Sequence, residues 1–271
     1  MIQLIKQKPL LSFFLLTFLI SWAVSFPVVF IPAWPEILLF SMSFVPAIAA
    51  IIIVSITGKK PAVLTLLQSL KQWRVAWYWY LIVFFGPAVT MLVTIFVFQT
   101  IGMLPNGASF PLSNLSWNHL FFLVGILFYQ IVIVWGEELG WRGYALPALQ
   151  KKIHPILAAV VLGVIWGIWH LPYFFIPGSQ HENMSLIFFI VSTVGYSLIY
   201  TWIFNGSKGS TLIMSLFHAA NNTTVSFTMM FVPQILDEPV ITLCILGLFD
   251  LLIIAISGTK LLYKPGDPAL R

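Results

Sequence analysis

Six side chains in three apolar stretches have the types and spacing to do chemistry. Glu137, Glu138 and Arg142 lie in VWGEELGWRGY, His170 closes WGIWH, and His218 and Asn222 stand in HAANN. No charged residue occurs between Leu120 and Trp135, so the acidic pair follows a run that reads as part of a membrane span. A carboxylate near mid-bilayer costs about 2.5 to 3.5 kcal/mol on insertion scales unless it is compensated. On a helix, Arg142 falls four residues after Glu138 and on the same face, so the two can neutralise each other. Glu137 is rotated by about 100° and has no local partner. It must be protonated, paired from another helix or aimed at water. His218 and Asn222, four apart, share a face in the same way.

Two mechanisms fit two histidines and a carboxylate around a water. In the first, Glu137, His170 and His218 bind a divalent metal such as zinc, which activates water and polarises a carbonyl. In the second, Glu137 is a metal-free general base, His170 orients the water, and His218 with Asn222 stabilises an oxyanion. No His-Glu-x-x-His is present, so the usual zinc-protease helix is absent. Spacing leaves both mechanisms open. His119, His154 and His181 read as loop or interface residues, and Asp250 as an intramembrane acid without accompanying motif residues.

These residues must be positioned by helices in a bilayer. Of 271 residues, 60% are hydrophobic and 8% charged, with a mean hydropathy of +0.99. A soluble domain carries about a quarter charged residues, so that class is excluded. The expected fold is all-α: a polytopic transmembrane helical bundle forming one membrane-embedded domain over 1–271, with the motif-bearing core at about 118–232. About eight spans are expected, near 10–31, 37–56, 77–98, 120–150, 155–175, 186–204, 211–232 and 240–257. Residues 62–73 read as one interfacial amphipathic helix, with Leu64, Leu66, Leu67 and Leu70 mainly on one side. The first span resembles a signal peptide but lacks a small-residue cleavage site, and reads as retained. Cys244 alone permits no intrachain disulfide.

Charge placement orders the spans. With the N-terminus inside, Lys6, Lys8, Lys59, Lys60, Lys71, Arg74, Lys151, Lys152, Lys208, Lys260, Lys264 and Arg271 all fall on the cytoplasmic side. Glu36, Glu182, Asp237 and Glu238 fall outside, with no basic residue among them. This is the positive-inside pattern, so the net charge of +5 points to a membrane topology and not to nucleic acid. Both termini are expected in the cytoplasm of a multi-pass protein, in a bacterial cell membrane. At about 1.5 Å per residue, the polar side chains lie about 10 to 22 Å from the cytoplasmic ends of their spans. Antiparallel neighbours would bring them to one level, in a water-filled cavity with Lys151 and Lys152 at its rim.

Glu-Glu-x-x-x-Arg, an aromatic-x-x-x-His and His-x-x-x-Asn, in this order on successive membrane helices, resemble the CPBP family. That group contains CAAX prenyl endopeptidases and bacteriocin-processing and self-immunity proteins. The resemblance covers residues 137 to 222, and its specificity lies in the combination. It implies that Glu137 activates water, that Glu138 pairs with Arg142, that His170 works with Glu137, and that His218 and Asn222 form the oxyanion site. Trp166 stands where the family usually has Phe, which is expected to alter packing near His170 and not the chemistry. The implied function is an intramembrane endopeptidase acting on a hydrophobic or lipidated peptide or protein, including a prenylated one, at a site opening to the cytoplasm. Members are named metalloproteases, and a metal-free glutamate mechanism has also been proposed for them. A non-catalytic immunity or scaffold protein is the alternative, because several bacterial relatives have that role. A proton-coupled transporter is the third reading, since buried Glu and His also make proton relays; no repeat symmetry supports it.

Overall fold

The computed structural model describes residues 2–31, 37–58, 60–104, 116–232, 235 and 238–266. Glu36, Lys59, Asp237 and Arg271, and the loop around Asn106, which the charge pattern used, lie outside the described residues. In chain order the helices are α1 (Ile2–Gln7), α2 (Pro9–Phe30), α3 (Ile37–Met42), α4 (Val45–Thr57), α5 (Lys60–Gln68), α6 (Tyr78–Thr100), α7 (Trp117–Gly140), α8 (Leu146–Gln150), α9 (Pro155–Trp169), α10 (Leu186–Gly206), α11 (Thr211–Phe231) and α12 (Pro239–Ser257). No strand occurs among the described residues, so the all-helical expectation holds.

Seven segments are long and apolar enough to cross a membrane, by length and composition. The protein is thus an integral, multi-pass membrane protein. The seventh expected span, α11, has the length, at 21 residues, but is not among those seven. Its composition explains this. Ser215, His218, Thr223 and Thr228 are buried on it, facing neighbouring helices, so the segment does not need an apolar surface all round.

Breaks in the spans follow from proline and glycine. The second span divides at Ser43–Phe44, and Pro46 sits in the first turn of α4, where its missing N–H costs no hydrogen bond. The fourth runs α7, a π-helical turn at Trp141–Ala145, then α8. Leu146 N donates five residues back to Trp141 O, widening the turn just before Pro147. The fifth, α9, stops at Trp169; Leu171 precedes Pro172, which disfavours continued helix there. The amphipathic segment forms α5 and a short 3₁₀ turn at Ser69–Lys71, with Leu66 buried and Leu64 and Leu67 exposed.

α9 packs along α10, α11 lies against α7 and α6, α4 lies on α7, and α12 lies on α10. Phe13, Trp79, Trp141, Trp169 and Tyr200 fill the core, and Arg142 is among the largest fully buried side chains. Close approach is set by two glycine pairs, each four residues apart. A Cβ on Gly140 would lie 2.4 Å from backbone and side-chain atoms of Pro46, and one on Gly136 would lie 2.6 Å from Ser43 O. On α9, Cβ atoms on Gly163 and Gly167 would meet Val194 Cα at 2.6 Å and Thr193 Oγ1 at 2.5 Å. Small residues at this spacing let helices pack by van der Waals contact where lipid offers no hydrophobic drive.

Candidate active site

Gly136 and Gly140 bracket the acidic pair, so the contact that seats α4 on α7 also buries Glu137 and Glu138. Glu138 is fully buried, and its Oε1 accepts from Arg142 Nη1 at 2.8 Å and meets His218 Nδ1 at 2.8 Å. Arg142 is further held between two rings. Its Cζ lies 4.7 Å from the centroid of Trp166 and 4.5 Å from that of Tyr200. A desolvated guanidinium over aromatic faces gains about 2 kcal/mol or more. One carboxylate therefore organises α7, α11 and, through the cation, α9 and α10.

Glu137 has different company. Its Oε2 accepts the indole N–H of Trp166 on α9 at 3.2 Å, and Ser43, at the α3–α4 break, lies beside it. The indole donor is neutral. Trp166 was expected to affect packing only; the structure corrects this, because the indole nitrogen points at the carboxylate that a phenyl ring could not reach with a donor.

His170 caps α9. Its Nδ1 lies 2.8 Å from Trp166 O, a pure acceptor, so Nδ1 carries the proton and Nε2 keeps a lone pair when the ring is neutral. The ring packs against Trp166, Trp169, Tyr173 and Phe189, and it stacks on His181 with centroids 6.0 Å apart. His181, which the sequence places in a loop or at an interface, is thus a neighbour of the motif histidine. Burial pushes its imidazole down to about 4.

Asn222 Nδ2 donates to Gln130 Oε1 at 3.1 Å. Gln130 lies two helical turns before Glu137 on α7, and nothing in the motif spacing singled it out. A side-chain amide has two N–H donors, so one stays available.

The structure thus brings Glu138, Arg142 and His218 into direct contact. Glu137 and His170 join them through Trp166, while Asn222, one turn from His218 on α11, pairs with Gln130. Among the described residues no hydrogen bond links Glu137 to His170. The donor set named for a metal also fails to gather: no group of three or more His, Cys, Asp or Glu side chains among the described residues is placed to hold an ion. Both histidines engage Nδ1, His218 at Glu138 and His170 at Trp166 O, and each keeps its Nε2 for another partner.

A cavity of about 660 Å³ lies at the lysine-bearing ends of the helices, lined by Pro9, Gly58, Gln68, Tyr144, Lys151 and Lys152 among others. It reaches Gly143, one residue past Arg142, but none of the six motif side chains lines it.

This is a polytopic helical membrane protein with a buried acid–base centre shared by three helices. Residues 118–224 match the family model described as type II CAAX prenyl endopeptidase Rce1-like. Over 141 residues the chain is 30% identical to CAAX prenyl protease 2 of Methanococcus maripaludis, covering 49% of this chain and 52% of that protein. The chain therefore spans about half the length of that relative. Both likenesses are to CAAX prenyl proteases, and the family match spans all six motif residues.

Proposed function

We propose that the protein is an intramembrane endopeptidase in which Glu137 activates water. The observation that carries this is the division between adjacent carboxylates. Glu138 gives one oxygen to both the Arg142 cation and His218, its other oxygen accepting no hydrogen bond among the described residues, whereas Glu137 accepts from the neutral Trp166 indole and keeps lone pairs for a proton. In this reading a Glu137 oxygen takes a proton from water as the water oxygen adds to the scissile carbonyl carbon. His170 Nε2 accepts the second water hydrogen bond and orients it. The oxyanion is met by the free N–H of Asn222 and by His218, whose Nε2 donates when the ring is the imidazolium. Collapse breaks the C–N bond, and the proton on Glu137 passes to the leaving amine, giving an acid and an amine. In this reading Glu137 serves as the base without a metal.

The substrate class is a hydrophobic or lipidated peptide or protein. The name of the Methanococcus relative supports a prenylated peptide as the first to try. The helix ends that carry Lys6, Lys8, Lys151, Lys152 and Lys208 are assigned to the cytoplasmic side by the positive-inside rule, with both termini there and water arriving from the cavity beside Lys151 and Lys152. Cysteine labelling in a Cys244→Ala background should then mark position 182 from outside and position 151 from inside; the reverse would overturn the orientation.

Purified protein incubated with a peptide library that includes prenylated members, read by mass spectrometry, tests the activity. Cleavage by the wild type and a residual rate about 10² to 10⁴ lower for Glu137→Gln is expected. No cleavage by either, or equal cleavage by both, would sink the reading.

A further inference from the structure

Trp166 meets four of the centre's six side chains: Glu137, Arg142, His170 and His218. Its indole N–H donates to Glu137 Oε2, and its ring carries Arg142. The His218 ring meets it edge-on, with centroids 5.4 Å apart and planes at 90°. Its backbone carbonyl accepts His170 Nδ1–H. A phenyl ring could provide the contacts to Arg142 and His218, and any residue could provide the carbonyl. Only the indole adds a donor to Glu137.

That donor matters because of how a glutamate carboxylate turns. Its terminal torsion joins an sp³ to an sp² carbon and is broad, so packing alone fixes the plane of the oxygens poorly. A general base must sit within about 2.6 to 3.2 Å of the proton it removes. An indole N–H is a donor only, so it cannot compete for that proton; it can only fix one oxygen.

We propose that Trp166 is a positioning residue for the base: its N–H pins Oε2 of Glu137 and thereby presents Oε1 to the water. The inference rests on Glu137 being the base. It predicts that removing the donor lowers kcat and leaves KM unchanged, since the bond touches no substrate. Losing one such hydrogen bond should cost about tenfold in rate.

The test uses the full-length protein and a peptide that the wild type cleaves. Trp166→Phe keeps a ring and removes the donor. Because the smaller ring could loosen the core, benzothienylalanine is also placed at 166 by nonsense suppression; it keeps the bicyclic shape and carries sulfur in place of N–H. Both variants should lose about tenfold in kcat at unchanged KM. In a Glu137→Gln background the same replacement should cause no further loss. Full kcat in the benzothienylalanine variant, or an equal further loss in the Glu137→Gln background, would overturn the role of Trp166 alone. Turnover left unchanged by Glu137→Gln alone would instead overturn the base that Trp166 is said to position.

Discussion

Glu137 on α7 and Asp250 on α12 are buried to nearly the same degree, at 6% and 8% exposure, in helices of similar apolar character. Their surroundings differ. Around Glu137 and Glu138, side chains from α7, α9, α10 and α11 converge: an arginine, two histidines, an indole and a phenol ring. Asp250 faces α10 where a Cβ on Gly195 would meet its Oδ2 at 3.0 Å, and its Oδ1 accepts no hydrogen bond among the described residues. Burial of an acid in a membrane is therefore not what marks a site. Convergence of complementary groups from several helices is.

The comparison predicts its largest effect on turnover at Glu137, the motif carboxylate that Arg142 does not engage. Glu137→Ala, His170→Ala and the double variant should each fall by about 10² to 10⁴ and reach a common residual rate, because groups acting on one water lose activity non-additively. Rates measured on a cleaved peptide decide this. A double variant showing the product of the two single losses would mean that Glu137 and His170 act independently.

Next comes stability. Glu138→Gln leaves Arg142 without its carboxylate partner and offers His218 Nδ1 only a neutral amide oxygen. Breaking a buried pair on one side costs about 3 to 5 kcal/mol. Glu137→Gln keeps an acceptor for Trp166 and should melt like the wild type. Thermal unfolding in detergent compares them, and equal melting of the two variants would refute the division of labour between the carboxylates.

A smaller loss is expected where α4 seats the acidic pair. Gly140→Ala forces a Cβ into Pro46, an overpacking of about 1 to 3 kcal/mol, while Gly247→Ala on α12 meets nothing within 4 Å and should be near neutral. The same melting assay reads both. A neutral Gly140→Ala would show that the close contact yields at little cost and does not hold the site.

Much of this was legible in the sequence because the constraints are local or compositional. Proline and charge placed the helix ends; the i,i+4 spacing gave Glu138–Arg142, and depth along the spans put His218 near their level. The Gly136–Gly140 and Gly163–Gly167 spacings were equally visible, but their meaning depends on which helix faces them, and spacing does not name α4 or α10. The Trp166 hydrogen bond was hidden for a similar reason: it joins side chains 29 residues apart and depends on the rotation of α9 about its axis. Gln130 and His181 were missed because each acts only through a neighbour. The break at Ser43–Phe44 falls within a run whose hydropathy reads as one continuous span.

The smallest expected effect sharpens the comparison from the other side. Asp250→Asn nearly preserves volume and removes an acid whose Oδ1 accepts no hydrogen bond among the described residues. Little is lost in the folded state, so the change in stability should stay below about 1 kcal/mol, the net value of a typical intramolecular hydrogen bond. Turnover of a cleaved peptide should match the wild type, because Asp250 contacts none of the groups that meet at Glu138 and Trp166. Melting temperature and kcat, measured side by side, separate the outcomes. A variant that melts like the wild type but has lost turnover would bring Asp250 into the reaction, and convergence of partners would no longer distinguish the two acids.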